Sequence, residues 1–260
     1  MSSPTLLQPY GRRVLVTGGS RGIGLACAEA LAHAGCNVVL NHYADAAKAE
    51  TEARRLSHDT AVSVQAIEAD VGDPVAARAL VRTAAERLGG LDIVVSNAGI
   101  CRFTAFLDLD DTSWRRHAAV NFDAGFYIGQ EAARIMIAQG GGGRLVFTTS
   151  IGARRSNGGQ VHYCATKAGL SLLAQGIAIE LAPHRITANC IAPGWIHTDI
   201  NDAPSRDAAV VEPWLKAHCP AGRLGRPEDL KSAVLFLCAA GSDYVTGSTV
   251  GVDGGWNAQL

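Results

Sequence analysis

Short apolar, β-branched runs alternate with longer stretches of helical periodicity along nearly the whole 260-residue chain. The runs fall at 13–17, 37–41, 62–67, 92–96, 144–149, 185–191 and 249–253. Strands this continuously apolar suit a sheet covered on both faces, which means a parallel one. Between them, 23–34, 74–88, 112–139 and 161–181 carry helical spacing, and Asp73-Pro74 supplies a cap and a first-turn proline for the second of these. The alternation predicts an α/β chain wound in both directions from the middle of a parallel sheet.

No Pro/Ser-rich linker, charge run or internal repeat divides the chain, and the glycine run 140–143 reads as a helix-to-strand turn. Residues 1–260 are therefore expected to form a single domain. The irregular section at about 195–226, with Pro204, Pro213 and Pro220, is expected to be a short substrate lid.

Composition narrows the function classes. Hydrophobic residues make up 48% of the chain, enough for a sizeable core, and 23 basic residues balance 24 acidic ones. That balance gives no electrostatic footprint for nucleic acid or an anionic membrane surface. No run approaches the roughly 20 apolar residues of a membrane span, and residues 1–10 lack the basic start and apolar stretch of a secretory signal. Seven scattered cysteines, none spaced as CxxC, fit neither a disulfide framework nor a zinc site. The expectation is a cytoplasmic protein without metal.

Two motifs carry chemistry. Thr17-Gly-Gly-Ser-Arg-Gly-Ile-Gly24 follows the first strand and opens the first helix. Glycines 18, 22 and 24 let the backbone turn sharply beside a pyrophosphate, and the helix N-terminus offers unpaired N–H groups to it. A tight strand-to-helix turn without ligand would look the same, but the strand–turn–helix context meets the motif's demand. The end of the second strand, where an acidic residue would hold the ribose of NAD, reads Asn41-His42-Tyr43, with no acid before Asp45. Arg21, inside the glycine turn, is placed to take a 2′-phosphate, unless it is merely a solvated surface residue. NADP is thus expected over NAD, with NAD still possible.

The second motif is Tyr163-Cys-Ala-Thr-Lys167, a phenol and an ammonium one helical turn apart. A neighbouring cation favours phenolate, which makes the pair a proton donor and acceptor. Alone, the spacing also suits a surface pair. Ser150 lies at the C-terminal end of the fifth strand, the ligand-binding end of such sheets. His162 and His197 flank the expected cleft as candidate substrate contacts. Cys164 points about 100° away from Tyr163 and is not expected to act. Trp195 and Trp214 bracket the lid, either as pocket walls or as lid packing.

Together these elements resemble the short-chain dehydrogenase/reductase superfamily, in its single-domain NAD(P)-dependent branch, over about residues 11–256. The resemblance rests on Thr17–Gly24, on Ser96-Asn97-Ala98-Gly99 with serine for the usual first asparagine, on Tyr163-xxx-Lys167, and on Pro193-Gly194-Trp195-Ile196-His197-Thr198. It implies a Rossmann fold of seven parallel strands ordered 3-2-1-4-5-6-7 and a homotetramer, less often a dimer. Tyr163 would be the acid/base, Ser150 would orient the substrate oxygen, Lys167 would hold ribose hydroxyls and lower the Tyr163 pKa, and Asn121 would position a relay water. The implied cofactor contacts are Gly18, Ser20, Arg21, Gly22, Ile23, Gly24, Asn41, His42, Asp70, Val71, Asn97, Ala98, Gly99, Tyr163, Lys167, Pro193, Gly194, Ile196 and Thr198.

Within the superfamily the segments 97–103, 106–108 and 198–201 are similar to L-rhamnose 1-dehydrogenases, which implies oxidation of an aldose at C1 to the lactone. The overall pattern is also similar to 3-oxoacyl carrier-protein reductases, and Arg102, Arg154 and Arg155 would suit an acidic carrier. A non-catalytic cofactor sensor would typically have lost Tyr163 or Lys167, and both are present.

Overall fold

The computed structural model describes residues 7–199 and 207–259. Among them, seven parallel strands, β1 (Arg13–Val16), β2 (Asn37–His42), β3 (Val64–Glu68), β4 (Ile93–Ser96), β5 (Gly143–Thr148), β6 (Ile186–Pro193) and β7 (Thr249–Val252), form one sheet ordered β3-β2-β1-β4-β5-β6-β7. The chain starts in the middle, winds outward to β3, then returns past β1 to β4 and continues to β7. The reversal opens a crevice beyond the C-terminal ends of β1 and β4.

Alternating side chains along each strand build the two helical layers. Val14 and Val16 pack toward α1 (Gly22–His33), α2 (Ala46–Thr60) and the helix at Lys231–Cys238, while Leu15 packs toward α3 (Pro74–Leu88), α5 (Ala124–Gln139) and α6 (Val161–Leu181). Asp73 caps α3 as its sequence implies, accepting from the N–H groups of Val75 and Ala76 ahead of Pro74. The charged stretch of α2, with no helix read there from the sequence, buries only Ala49, Ala53 and Leu56, one narrow stripe.

Two expectations need correction. Residues 112–139 are not one helix: α4 (Asp111–Ala118) and α5 are separated by a π-helical turn, Ala119–Asp123, which contains Asn121. An extra residue in the turn re-aims the side chains after it without interrupting the apolar spacing. The supposed lid is also more regular than its prolines suggest. Residues 200–206 of it lie outside the described residues, but α7 (Ala208–His218) runs through Pro213, with Asp207 capping it from the Ala209 N–H. The helix at Lys231–Cys238 is α8. The segment is stitched at its neck, where His197 N–H donates to the Gly225 carbonyl and Gly225 N–H to the Trp195 carbonyl.

Below the sheet, Asp92 ties the start of β4 to the start of β1. Its carboxylate accepts the N–H groups of Arg12 and Arg13 at 2.9 and 3.0 Å and the Arg13 guanidinium in a two-pronged contact. Burial works to raise the Asp92 pKa, but these donors outweigh it and hold the carboxylate below its usual range. The stabilisation is therefore complete above the unfolded carboxylate's value near 4 and is lost as pH falls through the lowered folded value. Asp92→Asn is expected to cost about 2 kcal/mol at pH 7, roughly 4–8 °C in Tm, and to flatten the acid limb of stability against pH. Thermal denaturation between pH 3 and pH 7 checks it.

Candidate active site

A cavity of about 470 Å³ lies over the crevice at the strand ends. Of the catalytic and cofactor-contact residues that the resemblance implies, all but Gly24 and Asn121 line it. The glycine turn contributes Gly18, Ser20, Arg21, Gly22 and Ile23. Asn41 and His42 come from the end of β2, Asp70 and Val71 from beyond β3, and Asn97, Ala98 and Gly99 from beyond β4. Ser150 follows β5, Tyr163 and Lys167 stand on α6, and Pro193, Gly194, Ile196 and Thr198 follow β6.

Gly18 and Gly22 sit at φ +60° and +54°, the left-handed region in which side chains are strained. Gly24 serves the turn from behind: a Cβ there would lie 2.1 Å from the Gly18 carbonyl oxygen. Thr17 Oγ1 accepts from the N–H groups of Asn97 and Ala98, and Asn97 Nδ2 donates back to the Thr17 carbonyl, closing the crevice floor. No side chain caps the N-terminus of α1, so its first N–H groups face the cavity side of the turn with the positive end of the helix dipole. His42 adds a buried Nδ1 with no hydrogen-bond partner in the protein. A glycine cradle, an uncapped helix start and an orphaned ring nitrogen fit a dinucleotide's phosphates and adenosine end.

Several contacts here have no signal in the sequence. Asn41 is not a free ligand: buried, its amide accepts from the Gly18 N–H and donates to the carbonyls of His42, Ile67 and Ala69. It stitches β2 to the glycine turn and to the end of β3. Arg21 is not the sole cation at this end, because Asp199 lies 3.8 Å from the Arg21 guanidinium and 3.5 Å from Lys48 Nζ. Nor is the region without carboxylates, since Ser20 Oγ donates to Asp45 at 3.1 Å. Arg116 holds Asp70 at 2.9 Å and lies over the Tyr43 ring, fixing that end's wall.

At the opposite end, Lys167 is buried, donates to the Thr148 carbonyl at 2.8 Å and lies 5.8 Å from the centre of the Tyr163 ring. Burial lowers its pKa to about 8. Burial raises that of Tyr163, with a hydrogen bond to Ser150 pulling the other way. The protein's own surroundings thus do not lower Tyr163 as the sequence reading expects, because the desolvation of the phenol outweighs its polar contacts. Ser150 and Tyr163 converge around Gly152, where a Cβ would lie 3.4 Å from Ser150 Oγ and 3.7 Å from Tyr163 Cε1.

Asn121 is placed behind this group. Its amide is spent on one residue, accepting from the Ile100 N–H at 2.8 Å and donating to the Ile100 carbonyl at 2.9 Å. A Cβ on Gly99 would touch both Asn121 Oδ1 and Lys167 Nζ, at 3.3 and 3.4 Å. The segment Ile100-Cys101-Arg102 forms the cavity wall on that side, and burial raises the Cys101 thiol pKa, which keeps it protonated. His162 and His197 do not line the cavity. Trp195 and Trp214 meet edge to face at 4.9 Å and line a second cavity of about 390 Å³, which shares Gly194 and Ile196 with the first. Among the described residues no cluster of three metal-ligating side chains occurs.

Known proteins share this arrangement along nearly the whole chain. The family model described as enoyl-(acyl carrier protein) reductase matches residues 18–257. An L-rhamnose 1-dehydrogenase (NAD(P)(+)) of Sphingomonas sp. is 40% identical over 96% of this chain and 98% of its own length. A 3-oxoacyl-[acyl-carrier-protein] reductase of Aquifex aeolicus is 35% identical over 94% of this chain and 97% of its own. The crystal structure of a gluconate 5-dehydrogenase from Burkholderia cenocepacia in complex with NADP and tartrate superposes with a TM-score of 0.91, at 36% identity and coverages of 98% and 100%. With the sheet order, the glycine turn and the Ser150–Tyr163–Lys167 group in one crevice, these coverages place the chain in the short-chain dehydrogenase/reductase family.

Proposed function

We propose that the chain is an NAD(P)-dependent oxidoreductase that oxidises an aldose of the L-rhamnose type at C1 to the lactone. The observation that carries the reaction type is the convergence of Ser150, Tyr163 and Lys167 at one end of a cleft whose other end is the glycine turn. The oxidised nicotinamide, when bound, supplies the hydride acceptor and a positive charge. The turn 18–24 would hold the pyrophosphate, and Pro193, Gly194, Ile196 and Thr198 would hold the nicotinamide end.

Ser150 donates a hydrogen bond to the substrate oxygen and keeps it beside the phenol. Tyr163 takes the hydroxyl proton as the C1–H bond breaks, and returns one in the reverse reaction. Since burial opposes phenolate formation, the Lys167 ammonium must supply compensating charge, and it does so in its protonated form. Lys167 also holds the ribose hydroxyls. Asn121 acts as a positioning residue, clamping Ile100 so that Gly99 lies against Lys167; any water held for proton relay falls to its main chain.

The choice of an aldose rests on the similarity to L-rhamnose dehydrogenases and on the polar group at the substrate end. Of the segments that suggested it, residues 200 and 201 lie outside the described residues. A second reading, reduction of a 3-oxoacyl thioester on an acidic carrier, is favoured by one observation: Arg102, Arg154 and Arg155 are exposed, with Arg102 on the cavity wall. Initial rates of NADPH formation with L-rhamnose and other aldoses, beside NADPH consumption with a 3-oxoacyl thioester, decide between them. The expected outcome is a kcat/KM at least tenfold higher for an aldose, and the reverse ranking overturns the substrate assignment.

The protein is read as a cytoplasmic homotetramer or dimer. Free cysteines support a reducing compartment, and exposed Phe126 and Ile137 on α5 and Leu172 and Ile179 on α6 support association. Among the described residues no helix is long and apolar enough to cross a membrane.

Tyr163→Phe keeps the ring and removes the proton acceptor, so kcat is expected to fall at least ~100-fold with cofactor affinity little changed. Steady-state kinetics with fluorescence titration of NADPH measure both, and a kcat within a few-fold of the parent rules out the assigned role. For the cofactor, NADP is expected to be preferred over NAD, but modestly. Arg21 and Lys48 are exposed and share Asp199, so each phosphate contact is worth on the order of 1 kcal/mol. Arg21→Ala is expected to weaken NADP about five- to tenfold, Lys48→Ala somewhat less, and neither to alter NAD. Equal weakening of both cofactors defeats that assignment.

A further inference from the structure

Two buried histidines sit behind the catalytic group and take no part in the chemistry described so far. His117 is in the last turn of α4, four residues before Asn121, and His162 directly precedes Tyr163 on α6. They are 1% and 0% exposed. Their rings meet edge to face, perpendicular, with centroids 4.1 Å apart. His117 Nδ1 lies 2.8 Å from the Ser113 carbonyl, which makes that nitrogen the N–H donor to it. The Nε2 of His117 has no hydrogen-bond partner, and His162 finds only the backbone of Arg102 nearby. Burying ring nitrogens so poorly paired costs free energy that apolar rings of the same size would not.

The surroundings favour the uncharged state. From α4 the pair meets the Ser113 carbonyl, while Arg115 is turned to Asp111 and Arg116 to Asp70. From the loop after β4 come Cys101 and the backbone of Arg102; the latter favours a charged His162, but burial and His117 weigh more heavily against it. The turn at Ile151–Ala153, packed on α6, offers no titratable side chain, and in the π-helical turn the Asn121 amide is committed to Ile100 while Asp123 is half-buried. Along α6 the neighbours are Tyr163 and Cys164, with Lys167 a turn further. Among the described residues no carboxylate pairs with either ring.

We propose that His117 and His162 are a positioning pair for the reaction: while His162 is uncharged the ring contact holds α4, and with it the turn carrying Asn121, to the helix carrying Tyr163, and a proton on His162 releases that hold. The pair joins α4, which leads directly into the turn carrying Asn121, to the first turn of α6. A proton there places a cation in a low-dielectric site with no anion to meet it, so the rings must part or become hydrated. Parting them displaces Tyr163 from Ser150, and Asn121 from Ile100. The contact is complete above the pH at which a free imidazole titrates, about 6.5, and is lost as pH falls through the lowered value of the buried His162.

The proposal rests on Tyr163 as the proton acceptor, and its test is separable from that reading. Log kcat/KM for the oxidation is measured between about pH 5 and pH 8 for the parent, His162→Gln and His117→Gln. Tyr163 must lose one proton to act, and the pair must lose another. The parent slope is therefore expected to steepen from one toward two below about pH 6, and either variant to keep a slope of one, whatever its plateau. A steep limb that persists in both variants overturns the proposal. Should the variants fail to fold, ring ¹⁵N shifts of the parent decide: an imidazole that titrates where the slope changes supports the pair's role, and two rings neutral throughout overturn it. Failure of the Tyr163 reading shows instead as retained activity in Tyr163→Phe.

Discussion

The active end of this molecule is organised around a buried ammonium. Lys167 is buried at the floor of the crevice, and the Thr148 carbonyl at the tip of β5 is a dipole, not a counter-ion. The surrounding frame keeps that charge where it can act on Tyr163, one helical turn away. Gly99 has no side chain to displace it, the Asn121 clamp holds Gly99 in place, and the π-helical turn gives Asn121 its direction. Removing any one of these lets the ammonium move toward water, where its influence on a phenol falls steeply with the dielectric.

The cofactor end follows a different logic. It works through backbone: glycines in left-handed conformations, an uncapped helix and a threonine hydroxyl bridging β1 to β4. The side chains around it are mostly occupied with one another, Ser20 with Asp45, Arg116 with Asp70, and Arg21 and Lys48 with Asp199. A site whose charges are already partly balanced leaves little net charge to discriminate between anions.

Much of this was legible in the sequence. The seven strands announce themselves as β-branched runs, and the glycine turn and the Tyr163–Lys167 spacing are local patterns fixed by a few adjacent residues. What was not legible is relational. The π-helical turn leaves the apolar spacing of 112–139 intact, so nothing in the pattern marks it. Pro213 reads as a breaker, yet α7 passes through it. Asn41 was placed at the right strand end, but its amide turns inward to partners 23–28 residues away, which no spacing encodes. Lys48, Arg116 and the His117–His162 contact likewise exist only once the helices are packed.

The neck of the segment after β6 has a consequence for how such an enzyme changes. Residues 195 and 197 are hydrogen-bonded to Gly225, so the chain leaving β6 and the chain leading on to α8 are joined at this neck, outside the sheet. The entropy of closing a loop grows only slowly, by about 0.6 kcal/mol for each doubling of its length. Residues can therefore be added, removed or exchanged beyond the neck at little cost to the frame beneath. The fold separates the sheet and the crevice at its strand ends from the segment beyond the neck, and change can accumulate in the latter by drift in length as readily as by substitution.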